Sequence, residues 1–202
     1  MTGTPTASDA TPAIDRETLL VELVDEQGHA AGSLSVAAAH TAPGRLHRAF
    51  SVLLFDNAGR VLLQQRAGVK TRFPLLWTNT CCGHPAPGQS VVEAASTRLH
   101  EELGLSADLT EIGTFTYQAS DPHTGRVEFE YDHVLIGHLN GTTPHPNPDE
   151  VEAISWVHPE TLPAEIDTTP ERYTPWLSGV LATIATHQAN PVSRKTNGST
   201  PA

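Results

Sequence analysis

One strongly marked helix constrains the fold of this chain more than any other feature. Ser90 and Glu93 form a capping box that favours a helix start, and Gly104 favours its end. The apolar side of this helix is predicted to carry Val92, Ala95, Leu99 and Leu103. A helix with one apolar side needs another layer to pack against, so the fold depends on the sequence around it.

Strand-like runs flank this helix on both sides. They cover residues 21–24, 49–55, 60–66, 77–82, 113–118, 126–139 and 152–157, and residues 174–186 are predicted to form a closing helix. Residues 56–59 read Asp-Asn-Ala-Gly, which is turn chemistry, so the runs on either side of them are predicted to form a hairpin. We therefore expect a mixed α/β fold of the α+β kind.

Length and composition indicate a single domain. The chain has 202 residues with 38% hydrophobic content, enough for one sizeable core. Residues 1–15 and 188–202 are rich in Thr, Pro, Ser and Ala and are predicted to be disordered tails. The predicted domain therefore covers residues 16–187.

Charge and cysteine usage limit the partners and the compartment. A net charge of −11 argues against a general nucleic-acid surface, which needs clustered Lys and Arg. The two cysteines, Cys81 and Cys82, are neighbours and cannot join distant segments, which indicates a reduced setting. There is no signal-like start and no membrane-length apolar run, so we expect a cytoplasmic protein without a membrane partner. The oligomeric state stays open.

Two constellations combine residues suited to chemistry. Cys82-Gly83-His84-Pro85 presents a thiol and an imidazole at a turn, although a buried cysteine beside a turn histidine gives the same pattern. Glu128, Glu130 and Asp132 alternate along one face of a predicted strand. Like charges so close repel unless they share a cation or a proton, and a solvent-facing strand is the alternative.

Further candidates lie in a loop and at the end of the predicted helix. His40 and His47 flank a loop that can turn both imidazoles toward a common point. Arg98 and Glu102 share one face of the helix, and Glu101 and Glu102 offer carboxylates to a hard cation such as Mg²⁺. The chain has 11 histidines, so the pairing of His40 with His47 can be a coincidence. The alternative for Glu101 and Glu102 is a pair of carboxylates on a solvent-exposed helix face.

A basic cluster follows the predicted hairpin. Arg66, Lys70 and Arg72 lie within seven residues of one another in an otherwise acidic chain. Guanidinium and ammonium groups at a hairpin end suit the binding of a phosphate. Basic residues that merely keep the surface soluble are the alternative.

Together these segments resemble type I isopentenyl-diphosphate isomerase, a family with a Nudix-like fold. The resemblance covers about residues 21–176, and it is carried in order and spacing by residues 39–40, 45–52, 66–67, 77–85, 101–104, 128–130 and 174–176. It implies a Nudix-like mixed β-sheet sandwiched by helices. It also implies conversion of isopentenyl diphosphate to dimethylallyl diphosphate in isoprenoid biosynthesis, with an isoprenyl diphosphate as the small-molecule partner.

The resemblance implies two metal ions and a set of anion contacts. One transition metal ion, Mn²⁺ or Zn²⁺, would be bound by His40, His47, His84, Glu128 and Glu130. Glu102 would help to hold Mg²⁺ near the diphosphate of the substrate. The residues implied in contacting that diphosphate are Arg66, Lys70 and Arg98.

The resemblance also implies the catalytic residues. Cys82 and Glu130 are cast as the acid and base on opposite sides of the substrate, since a proton must reach C4 of the alkene and another must leave C2. Trp176 would face the cation-like state at C3 through its π system. Tyr117 would relay or position a proton near Glu130.

Two departures keep other functions open. Val36 stands where many relatives have a lysine, and valine cannot donate to an oxyanion; Gln89 stands where Glu is common. A Nudix hydrolase is the enzymatic alternative, although Gln89 replaces its spaced Glu and Thr97-Arg98 replace its Arg-Glu step, which leaves fewer carboxylates for a hydrolytic metal cluster. A non-catalytic ligand sensor on the same fold is the second alternative.

Overall fold

The computed structural model describes residues 15–189, which form one mixed sheet with helices on both faces. The strands in this part of the chain are β1 Leu20–Val24, β2 Ala30–Ser35, β3 His47–Phe55, β4 Val61–Arg66, β5 Trp77–Thr78, β6 Cys81–Gly83, β7 Thr110–Ser120, β8 Val127–His138 and β9 Val151–Val157. The helices are α1 Val36–Ala39, α2 Val91–Leu103, α3 Leu162–Thr168 and α4 Leu177–Ala189. The predicted tails lie outside the described residues, apart from Asp15, Gln188 and Ala189.

Strand β3 organises the sheet. It pairs in parallel with β8 over its whole length and antiparallel with β6 on its other side. The predicted hairpin is confirmed at its turn, where the Asp56 carboxylate accepts hydrogen bonds from the backbone N–H groups of Ala58 and Arg60 at 2.9 and 2.8 Å. Beyond Phe55 and Val61 the two strands separate, and β4 pairs with β9 and β5 instead.

Helices cover both faces of the sheet, as the sequence predicts. Phe50, Val52 and Leu54 of β3 pack in the core on the α2 side, whereas Leu53 and Phe55 pack in the core on the α4 side. A strand that is covered on both faces reads as a continuous apolar run, which explains the composition of β3. Among residues 15–189, no helix is both long and apolar enough to span a membrane.

Helix α2 begins and ends as predicted, but its buried face is rotated from the predicted one. The Ser90 hydroxyl accepts a hydrogen bond from the Glu93 backbone N–H, and Gly104 adopts a left-handed conformation with φ of 63°. Val92 is exposed, so its predicted place on the apolar side is wrong. The buried face instead carries Val91, Ala94, Ala95, Arg98, Leu99, Glu102 and Leu103. Two charged residues therefore lie on the buried side of the helix.

Candidate functional site

Five predicted metal ligands converge at one point beside β3. His40 is the residue that ends α1, His47 begins β3, His84 follows β6, and Glu128 and Glu130 lie on β8. Their ligand atoms all lie within 4.8 Å of one another, and all but the partly buried His84 are buried. We call these five residues the metal cluster.

Backbone carbonyl groups orient two of the imidazoles. His40 Nδ1 donates a hydrogen bond to the Val36 carbonyl oxygen, and His47 Nδ1 donates one to the Arg45 carbonyl oxygen, both at 2.7 Å. A carbonyl oxygen only accepts, so these bonds fix the tautomer and leave the Nε2 lone pairs facing the centre of the cluster. Metal-binding histidines are commonly oriented in this way.

The unpaired atoms of the metal cluster fit a divalent transition metal. His40 Nε2 and Glu128 Oε2 approach to 2.7 Å, yet neither atom makes a hydrogen bond, and His47 Nε2 also has none. Buried polar atoms without partners are costly, and two facing acceptors repel each other unless a cation or a proton lies between them. A set of three imidazoles and two carboxylates matches the ligand preference of Mn²⁺ or Zn²⁺ better than that of Mg²⁺.

Ionisation within the metal cluster also favours metal binding. Burial lowers the pKa of His84 to about 4, so its imidazole is neutral at pH 7. Burial alone would raise the pKa of Glu130, but the hydrogen bond from His84 and the nearby His47 imidazole hold it well below its usual value. Metal ligands must bind in their deprotonated forms, and both side chains are already deprotonated.

A tight loop brings His40 and His47 together. Gly44 lies between them with φ of 84°, a conformation that favours glycine. A Cβ at this position would come within 2.8 Å of the Val127 side chain on β8. Close packing against β8 therefore holds the loop beside the strand that carries the two carboxylates.

Three residues of the metal cluster, His84, Glu128 and Glu130, line a cavity of about 630 Å³. The four predicted catalytic side chains, those of Cys82, Tyr117, Glu130 and Trp176, all line this cavity. Cys82 lies on β6 and Glu130 on β8, and these strands flank β3 on opposite sides. The sheet therefore places the thiol and the carboxylate on separate strands around one space.

Cys82 is held as a thiol beside a cation. Burial raises the pKa of Cys82 to about 12, although the Arg66 guanidinium acts in the opposite direction. Arg66 Nη1 lies 3.6 Å from the Cys82 sulfur. The group at this position therefore carries a proton at pH 7, and Arg66 can stabilise the thiolate that remains when the proton leaves.

Tyr117 contacts the carboxylate of Glu130 directly. The two residues are paired in register across β7 and β8, and the Tyr117 hydroxyl donates to Glu130 Oε2 at 2.6 Å. Burial, reinforced by the charge of Glu130, raises the pKa of Tyr117 well above its usual value. Tyr117 thus stays protonated and fixes the orientation of the carboxylate.

Trp176 is oriented by a residue that the sequence did not identify. Its Nε1–H donates to Asn79 Oδ1 at 3.0 Å, and its ring centroid lies 5.9 Å from that of Tyr117. The Arg66 guanidinium lies 5.5 Å from the Trp176 ring centroid. An indole that already attracts one cation through its π system presents the electron-rich surface expected of a cation-stabilising group.

A second group of charged side chains lies at the same cavity, which Lys70, Arg98 and Glu101 line. Arg98 pairs with Glu101 at 2.7 Å and with Glu102, and Glu102 also accepts from Gln64 Nε2 at 2.9 Å. Lys70 lies 3.9 Å from Glu102. We call Lys70, Arg98, Glu101, Glu102 and the further residue Glu150 the ionic cluster.

Glu150 belongs to the ionic cluster although no sequence motif marks it. It precedes β9, and its carboxylate pairs with Lys70 and lies 3.1 Å from Arg98. Burial opposes its ionisation, but Lys70 and Arg98 lower the pKa of Glu150 to about 2. Only its proximity to residues 70 and 98 identifies it, and no local pattern carries that information.

Arg66, Arg72 and Val36, which the sequence also singled out, lie outside the two clusters. Arg66 uses its Nε and Nη2 groups to hold the carbonyl oxygens of Arg72 and Phe73, at 3.0 Å from the latter. Arg72 pairs with Glu17 at 2.7 Å and with the metal-cluster residue Glu128 at 3.1 Å. Val36 lines the cavity with an apolar side chain. The guanidinium of Arg72 is therefore already paired with two carboxylates, those of Glu17 and Glu128.

Comparison with solved structures supports the fold. A crystal structure of DR0079 from Deinococcus radiodurans superposes with a TM-score of 0.65 at 20% identity, covering 81% of this chain and 97% of that one. The MutT protein from Methanosarcina mazei Go1 gives 0.58 at 15% identity, covering 72% and 96%. These likenesses confirm the predicted Nudix-like mixed sheet.

Comparison with protein families and relatives gives the family. The NUDIX domain model matches residues 45–177. Isopentenyl-diphosphate Delta-isomerase from Nocardia farcinica is 67% identical over 161 residues, which is 80% of this chain and 91% of the relative. Those from Halorhodospira halophila and Streptomyces griseus are 47% and 45% identical, covering 77% and 90% of this chain and 89% of each relative. This chain belongs to the isopentenyl-diphosphate Delta-isomerase family within the NUDIX domain proteins.

Proposed function

We propose that this protein interconverts isopentenyl diphosphate and dimethylallyl diphosphate. The observation that carries the proposal is a pair of proton-transfer groups in one cavity, with the Cys82 thiol protonated and the Glu130 carboxylate ionised. The relatives named above carry the isomerase name at up to 67% identity over most of their length. Geometry and family thus support the same reaction.

The reaction needs two proton transfers at different carbon atoms. Protonation at C4 gives positive charge at C3, and loss of a proton from C2 then forms the new double bond. An alkene is a poor base, so the donor must be positioned and shielded from water. Cys82 holds a proton to give, Glu130 is free to accept one, and the roles exchange in the reverse direction.

Tyr117 and Trp176 support the charged state from the cavity wall. The Tyr117 hydroxyl holds one Glu130 oxygen, so the carboxylate stays aimed while its proton content changes. Trp176 presents its ring toward the same cavity and stabilises positive charge at C3 through its π system. Neither residue needs to change its own ionisation.

The metal cluster suits Mn²⁺ or Zn²⁺, with His40, His47, His84, Glu128 and Glu130 as ligands. A metal bound there would lower the proton affinity of Glu130 and fix its position. Because Glu130 shares its carboxylate between this cluster and Tyr117, its orientation depends on both partners.

The ionic cluster suits the diphosphate of the substrate and Mg²⁺. Glu102 offers a buried carboxylate for Mg²⁺, which prefers oxygen ligands and usually binds together with substrate phosphates. Lys70 and Arg98 beside it, and Arg66 nearer Cys82, supply positive charge for the phosphate oxygens. The diphosphate would then lie at the ionic cluster and the alkene between Cys82 and Glu130.

The structure gives little support to diphosphate hydrolysis. A hydrolytic metal site needs several carboxylates along α2 to activate water. Arg98 stands where the Glu of the Arg-Glu step would be and pairs with Glu102, and the Gln89 side chain, in place of the spaced Glu, accepts from the Ala86 N–H at 2.9 Å. Thr97 stands where the Arg of that step would be and donates its hydroxyl to the Glu93 carbonyl at 3.0 Å. Two of the usual carboxylate positions, Gln89 and Arg98, therefore supply no carboxylate.

Proton NMR in D₂O tests the proposal. Purified protein with isopentenyl diphosphate, Mg²⁺ and Mn²⁺ should form dimethylallyl diphosphate with deuterium incorporated. Cys82→Ala and Glu130→Gln should each lower the rate by at least about 10³-fold, since each removes a proton-transfer group. Cys81→Ala is the matched control, because the Cys81 side chain packs in the α2-side core.

Two outcomes would contradict the proposal. An unchanged substrate spectrum at saturating metal would exclude isomerisation by this protein. Full activity in both Cys82→Ala and Glu130→Gln would show that other groups transfer the protons. Release of phosphate instead of an isomer would favour the hydrolase.

A further inference from the structure

Arg16 lies at the edge of the cavity, next to the ionic cluster. It belongs to a short 3₁₀ turn, Arg16–Thr18, that precedes β1, and it lines the same cavity as Lys70 and Arg98. Its guanidinium lies 2.5 Å from Glu101 and 3.4 Å from Glu150. No sequence motif marks Arg16, and it is not among the residues assigned above to the substrate, the metal ions or proton transfer.

Arg16 shares its carboxylate partners with the other two cations. The same Glu101 oxygen that Arg16 contacts also accepts from Arg98 at 2.7 Å. The Glu150 oxygen nearest Arg16 lies 3.3 Å from Arg98, and the other Glu150 oxygen pairs with Lys70. Each pair among Arg16, Lys70 and Arg98 is therefore bridged by a shared carboxylate. An anion that takes the place of such a carboxylate can contact more than one of them.

The turn that carries Arg16 is anchored by contacts of its neighbouring residues. The neighbouring residue Glu17 accepts hydrogen bonds from the Thr71 hydroxyl at 2.9 Å and from the Arg72 guanidinium at 2.7 Å. The Leu19 carbonyl accepts from the Val36 N–H at 2.8 Å. These contacts hold Arg16 at the cavity in a defined position, so its placement does not depend on the bond to Glu101 alone.

Arg16 is also the cation of the three that is free to exchange partners. Its side chain is 43% exposed, compared with 18% for Lys70 and 11% for Arg98. An exposed ion pair contributes little stability, so replacing Glu101 by a phosphate oxygen costs little. A guanidinium fork matches two phosphate oxygens at once.

We propose that Arg16 is a substrate-binding residue that contacts the diphosphate together with Lys70 and Arg98. The inference rests on the proposed function for its substrate, an isoprenyl diphosphate. It adds a cation from the segment before β1 to a cavity that Val36 lines with only an apolar surface. Arg16 should contribute to binding and leave the proton transfers unchanged.

Binding of inorganic pyrophosphate with Mg²⁺, measured by calorimetry, tests Arg16 without the isomerisation reaction. Arg16→Ala should weaken binding about 10-fold, the effect of one partly exposed charge-assisted contact, and Arg16→Lys should restore part of the loss. Arg60→Ala is the matched control. The Arg60 side chain is also 43% exposed and paired to a carboxylate, that of Asp56, but it does not line the cavity.

Kinetics with isopentenyl diphosphate give a second readout. Arg16→Ala should raise KM about 10-fold with kcat changed by less than about 2-fold, since the contact exists before and during proton transfer. Unchanged pyrophosphate affinity in Arg16→Ala, or an equal loss in Arg60→Ala, would overturn the proposal. A fall in kcat and melting temperature at unchanged affinity would make Arg16 a structural brace and would overturn it too. If the wild type does not isomerise its substrate, the proposed function fails, and the pyrophosphate titration still decides the role of Arg16.

Discussion

The metal cluster and the ionic cluster hold charged side chains in opposite ways. In the metal cluster, His40 Nε2, His47 Nε2 and Glu128 Oε2 are buried and make no hydrogen bond. In the ionic cluster, the carboxylates of Glu102 and Glu150 are already paired with Lys70 and Arg98. The metal cluster therefore has unused ligand atoms, and the ionic cluster has its charges neutralised by its own side chains.

This difference indicates different occupants. Buried ligand atoms without partners destabilise the folded protein until a cation binds, so the metal cluster suits an ion that stays bound. Ion pairs that are already formed must be broken or shared before another charge can bind. The ionic cluster therefore suits a ligand that brings both signs of charge and then leaves, such as Mg²⁺ with a diphosphate.

Adding a metal ion to chelator-treated protein should distinguish the two clusters most clearly. At about a thousandfold excess over its dissociation constant, Mn²⁺ or Zn²⁺ should raise the free energy of unfolding by about 4 kcal/mol. Mg²⁺ alone should raise it by less than about 1 kcal/mol, because the ionic cluster has no unused ligand. Urea unfolding at fixed metal concentration measures both values. Equal stabilisation by Mg²⁺ would contradict the inferred difference between the two clusters.

Glu102→Gln should destabilise the metal-free protein by about 2–3 kcal/mol, because it leaves the buried Arg98 without its nearest carboxylate. Glu101→Gln, at the exposed neighbouring position, should change stability by less than about 0.5 kcal/mol. Urea unfolding compares the two variants. Both variants should bind Mn²⁺ with wild-type affinity, and a loss of Mn²⁺ affinity in Glu102→Gln would show that the two clusters are not independent.

Replacing Glu150 should have the smallest of the three effects on the free energy of unfolding, and this effect should depend on pH. The pKa of Glu150 falls from an ordinary value of 4.5 to about 2, so its stabilisation is present above pH 4.5 and is lost as the pH falls toward 2. After allowance for solvent screening, Glu150→Gln should cost about 1–2 kcal/mol at pH 7. The gap to the wild type should narrow steadily between pH 5 and pH 3 in urea unfolding. A gap that does not change with pH would mean that Glu150 acts through packing alone.

Local sequence patterns predicted the elements with strong local signals. Helix α2 begins and ends where Ser90 and Gly104 indicate, and β3 and β8 lie where their apolar and alternating runs indicate. The phase of α2 was wrong at Val92, because two adjacent valines fit an apolar face about equally well and only packing selects Val91.

Sequence patterns did not predict the break in a strand where side-chain hydrogen bonds replace backbone pairing. The predicted strand from Trp77 is split into β5 and β6 at Asn79 and Thr80. The Thr80 hydroxyl accepts from the Leu54 N–H and donates to the Leu62 carbonyl, at 2.9 and 2.6 Å. These partners lie on β3 and β4, so no local window of sequence contains them.

The sequence by itself determined which residue types are available and which of them share a strand or helix face. The alternation of Glu128 and Glu130 and the helical spacing of Arg98 and Glu102 are local, because each follows from the repeat of one element. The proton-transfer roles of Cys82 and Glu130 stay predictions until their variants are measured.

Only the tertiary structure decided which of these residues meet. The parallel register of β3 and β8 sets His47 opposite Glu130, and the strand before α2 carries Cys82 to the same cavity. The same folding brings Glu150 and Arg16 to Arg98, across separations of 52 and 82 residues that no periodicity spans. Register and long-range contact depend on the packing of the whole core, and the repeat of one segment cannot specify them.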